Sequence, residues 1–188
     1  MLLHPKIWIL VAFGIVAAVF QPDYRPLAKE DHPSDRGTCK QIVWSVFLTQ
    51  LAAIVEATYV RYPGSLQWDT VTSCALLAMA LGLALRTWAV VTLGTFFTMH
   101  LTTQKDHTVV SSGPYRFVRH PSYLGAFVMY LSTTLFLHAW STAIATGALL
   151  LLAFVRRVHH EERLLRNELG PAYESYRARV RGLLPGVW

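Results

Sequence analysis

Between residues 107 and 125 the chain reads HTVVSSGPYRFVRHPSYLG. Two histidines, two tyrosines, two arginines, two prolines and two glycines share this short connection between apolar runs, a density of polar and conformationally special residues that packing does not require. Imidazole and phenol can hold or pass a proton, guanidinium grips an anion, and an aromatic face attracts a cation such as a sulfonium or ammonium. Gly113 and Pro114 read as a turn that swings Tyr115 back toward His107 and His120. Pro121 suits a first helical turn, where its missing N–H would have no partner anyway, so Arg119, His120 and Pro121 stand at the start of a helix. A second polar set follows in RRVHHEERLLRNEL. Arg157 and Glu161 are four apart and share a helix face, as do Arg156 and His160. Such a pair alone stabilises a surface helix by only a few tenths of a kcal/mol; what gives it interest is its place on the helix next to the one that begins at His120. The run HHEE does not match H-E-x-x-H, so a zinc site is not indicated.

The elements that must position these residues are apolar. Of the 188 residues, 53% are hydrophobic and 15% charged, and the mean hydropathy is +0.35; one domain of a membrane protein is the consistent reading. Inside a bilayer the backbone must pair with itself, which makes the expected fold all-α: a polytopic bundle of about five transmembrane helices. The runs are Leu2 to Phe20, Gln41 to Tyr62, Thr70 to Leu93, Tyr123 to Leu137 and Ser141 to Val155. The first has no small-x-small cleavage site before the polar loop Gln21 to Lys40, so it reads as a span and not a signal peptide. His138, Ala139 and Trp140 are too short a link for anything but an antiparallel hairpin. Past Val155 the fifth helix continues as an amphipathic, charged one until Gly170 and Pro171, and a short helix over 172–181 follows.

The net charge of +6 and pI near 9.6 would suggest nucleic acid in a soluble protein, but here they report which loops face the cytoplasm. Residues 23–40, 94–122 and 156–188 hold 14 of the 17 lysines and arginines. Five alternating spans then place the N-terminus on the opposite side, and the 107–125 connection and the C-terminal tail together in the cytoplasm. Cys39, in the polar loop, and Cys74 form no disulfide framework. Arg86 lies within the third run, near enough to its end to snorkel or else to serve a site; Glu56 lies at another depth, so the two are not expected to pair.

HTVVSSGPYRFVRHPSYLG, an apolar hairpin, and then RRVHHEERLLRNELGPAYESYRARVRGLLP together resemble the catalytic half of the isoprenylcysteine carboxyl methyltransferases and related membrane-embedded methyltransferases. The shared signature is RHPxYxG, about 30 apolar residues, and an acidic EE pair followed by G-x-x-Y-x-x-Y. The resemblance covers about 90 residues. It implies an S-adenosylmethionine site in a cytoplasmic helical C-terminal region, with residues 94–188 as the catalytic half and 1–93 as N-terminal membrane helices of a single domain. His107, Thr108, Val109 and Val110 would line the cofactor, Tyr115, His120, Pro121, Ser122 and Tyr123 would surround it, and Glu161 would hold one of its polar groups. A polar residue upstream, Gln104 or His100, would join them. Arg157, with Arg86 as a second candidate, would face the acceptor, a lipophilic carboxylate arriving sideways from the bilayer. An amine of a phospholipid or small molecule is the alternative acceptor, for which His160 could serve as base. From outside the enzymes, the rival is a haem-binding or scaffolding bundle, which would need paired histidines within the spans.

Overall fold

The computed structural model describes residues 4–19, 37–96 and 108–182. Five helices carry the fold: α1 (Pro5–Val19), α2 (Thr38–Val55), α3 (Thr70–Leu93), α4 (Pro121–Phe136) and α5 (Trp140–Arg179). No strand occurs among the described residues; a single parallel bridge joins Val118 to Arg181. Three helical stretches are long and apolar enough to cross a membrane, Thr38–Val60, Thr70–Leu93 and Trp140–Arg179, whereas α1 and α4 have 15 and 16 residues. Trp44, Leu48, Leu51, Leu77, Leu81, Val91, Ile144 and Leu152 all point outward. Large side chains exposed in this number have no favourable solvent except lipid.

The helix ends follow local chemistry. Asp69 opens α3 by accepting the Thr72 amide at 2.8 Å, and Gly94 closes it at φ 54°. Proline opens both α1 and α4. The start of α2 differs from the sequence reading. Helix α2 begins at Thr38, so Cys39 and Lys40 belong to a helix and not to the polar loop; Gly37, in the left-handed region at φ 73°, is its N-cap. The stop expected at Gly170 and Pro171 is present: Gly170 (φ 52°, ψ −131°) leaves helical geometry and kinks α5, and a short helix resumes at Pro171 in a new direction.

Helix α4 lies against α3, and α2 against α5. A Cβ built on Gly125 would sit 2.6 Å from the Gly82 carbonyl oxygen, and one built on Gly82 would sit 2.8 Å from that of Gly125. The two backbones therefore touch at this crossing, the close approach that small residues permit between membrane helices. Leu150 and Phe154 of α5 pack with Ala126 of α4, and Ile42 and Val46 of α2 cover them.

Charged residues tie the bundle together at the end where α4 turns into α5. Lys6 is fully buried, and its ammonium donates to the Ser65 carbonyl at 3.1 Å, the Thr72 hydroxyl at 2.9 Å and the Phe136 carbonyl at 3.3 Å. Glu56 accepts the Ser141 and Thr142 amides at the start of α5, at 3.2 and 2.8 Å, and pairs with Arg61 at 3.3 Å. As expected, it does not meet Arg86. His138 Nε2 lies 3.0 Å from Asp69 Oδ2. The Thr72 amide, and after it His138, hold the Asp69 carboxyl below the usual carboxylate range.

Candidate active site

The opposite end of α4 gathers the second polar cluster. His120 occupies the cap position of α4 but does not cap it. Its ring stacks on Tyr123, 5.9 Å between centroids, and Nε2 lies 3.3 Å from Glu162 Oε1. Arg119 grips the same oxygen through Nε at 2.9 Å and a terminal nitrogen at 2.8 Å. It also donates to the Arg177 and Val180 carbonyls, while its own amide donates to the Arg181 carbonyl at 2.8 Å. Arg177 approaches Glu162 at 3.4 Å. Glu162 is thus a buried carboxylate among cations. Desolvation makes such a cluster a poor source of net stability, but removing one member leaves a buried charge without compensation.

A second chain of contacts runs beside it. The Tyr123 hydroxyl donates to Glu161 Oε2 at 2.7 Å and accepts from Arg157 Nε at 3.1 Å. Arg157, buried at 3% exposure, also donates to the Thr38 hydroxyl at 2.9 Å. The i,i+4 relation of Arg157 and Glu161 is therefore bridged by a phenol. Arg156, one residue earlier, turns outward and donates to Gln41 at 2.9 Å.

The short 3₁₀ turn Gly113–Arg116 buries Tyr115, whose carbonyl accepts the Tyr176 hydroxyl at 2.7 Å from beyond the Gly170 bend. Burial, then the Glu161 carboxylate, pushes the Tyr115 phenol well above its ordinary range, so it stays a neutral donor. Tyr173, 3% exposed, lies within electrostatic reach of Glu161 and Glu162, and its hydroxyl has no hydrogen-bond partner among the described residues. A buried orphan hydroxyl beside a half-exposed carboxylate is a site for a polar ligand.

Of the residues expected at a site, His120, Tyr123, Arg157 and Glu161 are brought together, with Tyr115 close by. Pro121 is the first residue of α4, and Ser122 receives Arg86 through its carbonyl at 3.2 Å and its hydroxyl at 3.0 Å. Arg86 is buried against α4 and does not snorkel. Thr108 is exposed and Val109 and Val110 half-buried; no hydrogen bond among the described residues joins them to the cluster. His100, Gln104 and His107 lie outside the described residues. Sequence reasoning placed Arg119 at the start of α4 without giving it a partner, and passed over Glu162, Tyr173 and Thr38. Helical spacing carries the inward positions 150, 153, 154, 157 and 158 on to the pair 161 and 162, without choosing between its members.

Fold and site define an integral membrane protein of helical class, with a polar site built where two antiparallel helices meet a folded-back tail. Residues 74–167 match the model of the isoprenylcysteine carboxyl methyltransferase (ICMT) family. The chain is 31% identical over 144 residues to protein-S-isoprenylcysteine O-methyltransferase B of Arabidopsis thaliana, which spans 74% of this chain and 73% of the relative. It is 30% identical over 150 residues to a probable protein-S-isoprenylcysteine O-methyltransferase of Oryza sativa subsp. indica, 79% of this chain and 78% of the relative. It shares its fold with a solved eukaryotic intramembrane Ras methyltransferase at a TM-score of 0.74 and 22% identity, over 100% of this chain and 70% of the other. The chain belongs to the isoprenylcysteine carboxyl methyltransferase family and is a membrane methyltransferase.

Proposed function

We propose that this enzyme moves a methyl group from S-adenosylmethionine to the carboxylate of an isoprenylcysteine-like or other lipophilic acceptor, at the cytoplasmic face of a five-span bundle whose N-terminus lies on the other side. The observation that carries the reading is the meeting of Tyr123, Arg157 and Glu161 beside Tyr115 and Tyr173. The residues fit such a cofactor: a half-exposed carboxylate for its ammonium or ribose hydroxyls, an orphan phenol, and aromatic faces suited to a sulfonium. Bound there, it would supply a methyl group already activated by positive sulfur. The protein's part is then alignment and exclusion of water. An acceptor carboxylate is ionised at pH 7 and needs no strong base; Arg157 would orient it through the paired N–H donors that suit a carboxylate. Residues 94–188 would supply most of this machinery.

An apolar cavity of about 390 Å³ supports a greasy acceptor. It opens between α1, α2 and α4, with Phe13, Ile54, Tyr130 and Leu137 in its wall. Tyr130 and Leu137 follow Tyr123 at intervals of seven residues, so one face of α4 runs from the site into the cavity wall. Titration of detergent-purified protein with S-adenosylhomocysteine tests the cofactor: saturable heat supports it, and none at millimolar ligand refutes it. Turnover of an S-farnesyl cysteine against phosphatidylethanolamine tests the acceptor, since the carboxylate reading requires the first and is overturned by the second alone. A haem pocket gains nothing from the geometry of the described residues, among which the buried histidines, His120 and His138, stand at opposite ends of α4, each beside a carboxylate.

A further inference from the structure

We infer that Thr38 is a positioning residue for Arg157, so that the N-terminal half of the chain helps to shape the acceptor site. The inference rests on the reading of Arg157 as the acceptor's anchor. Thr38 is the first residue of α2, fully buried, and lies outside residues 74–167. The N-cap of α2 is Gly37, which has no side chain to cap with, and the Thr38 hydroxyl, one position inside the helix, accepts Arg157 Nη1 at 2.9 Å, from a residue 119 positions later.

Geometry explains why such a partner matters. Arg157 and Glu161 share a face of α5, and a flexible arginine there would fold directly onto the carboxylate. Tyr123 takes Nε from one side and Thr38 takes Nη1 from another. A planar guanidinium held at two nitrogens by two hydroxyls has its plane fixed, which sets the angle at which it can receive a carboxylate. Ile42 and Val46, on the next turns of α2, pack against the cluster that holds Phe154, so the helix that carries Thr38 is itself seated on α5. The hydroxyl is therefore delivered by packing, not by a loose loop end.

The test compares Thr38→Val, Thr38→Ser, Arg157→Ala and the double variant Thr38→Val/Arg157→Ala, with S-farnesyl cysteine as acceptor and S-adenosylhomocysteine as the binding probe. Thr38→Val keeps the shape and removes the hydroxyl; the acceptor KM rises about tenfold, as the loss of a hydrogen bond to a charged group implies, while kcat and S-adenosylhomocysteine affinity stay within about twofold. Thr38→Ser restores the KM. The double variant is no worse than Arg157→Ala, because the threonine acts through the arginine. A merely structural threonine would give the opposite: equal penalties with and without Arg157, and cofactor affinity falling with the KM. Either that result or an unchanged KM in Thr38→Val overturns the proposal. Should Thr38→Val not fold, Thr38→Ala replaces it in the same cycle. An acceptor KM that Arg157→Ala leaves unchanged refutes the parent reading instead, and is told apart because it appears with Thr38 intact.

Discussion

The two ends of α4 use the same kinds of residue for different ends. Where α4 meets α5, Lys6, Glu56 and Asp69 spend their hydrogen bonds mainly on helix termini: Glu56 takes the first amides of α5, Asp69 an amide of α3, and Lys6 the last carbonyl of α4. Those groups are orphaned by helix geometry and would otherwise be buried bare. At the His120 end, side chains address one another, through Arg119 and His120 to Glu162 and through Arg157 and Tyr123 to Glu161. A carboxylate that caps a helix has its lone pairs committed. One that is reached by a single phenol and half-exposed, as Glu161 is, keeps capacity for a ligand. Commitment of the partners, more than burial or charge, separates scaffold from site.

Mutations can break or sharpen that contrast. The largest effect is expected for Glu56→Ala, which leaves the Ser141 and Thr142 amides at the start of α5 without their acceptor; a loss of about 1–3 kcal/mol for each buried amide left unpaired should appear as a steep fall in Tm in detergent, with unchanged S-adenosylhomocysteine affinity in the fraction that stays folded. Arg119→Ala should blur the distinction, lowering Tm by a comparable stability change and weakening the cofactor as well, because Glu162 and the folded-back tail both depend on it. For Glu161→Ala the expectation reverses: Tm moves little, while calorimetry shows S-adenosylhomocysteine binding about tenfold weaker, near 1.4 kcal/mol. Wild-type titrations would remove Glu161 from the site. Arg157→Ala should lower turnover more than cofactor affinity, measured on one preparation. The smallest effect concerns Asp69. Its carboxyl is depressed in the fold, so its contribution is full above the unfolded value near pH 4 and is lost as pH falls through the lower folded value. Melting curves of wild type and Asp69→Asn should differ at pH 7 and converge in strong acid.

The sequence made the helices legible wherever solvent preference and chain breakers agreed. Thr70 to Leu93 is bounded as expected because Asp69 caps it and Gly94 releases it. The start of α2 was hidden, since Thr38, Cys39 and Lys40 look like loop by polarity and become helix through tertiary packing. Residues of the site that lie on one short motif, such as His120 and Tyr123, could be named together. Partners far apart in sequence could not: nothing local announces that Lys6 reaches Phe136, or that Thr38 meets Arg157. The choice between Glu161 and Glu162 turned on about 100° of helix rotation, which only the packing of α5 settles.

Arg119 carries one more consequence. Its amide and its guanidinium clasp the chain at residues 177–182, and so close a ring that contains all of α4 and α5. Within such a ring, a slide of either helix along its axis must first break these hydrogen bonds. Shortening the chain to end before Val180 would remove three of the carbonyls from that clasp and leave Arg119 holding α5 through Glu162 and the Arg177 carbonyl alone.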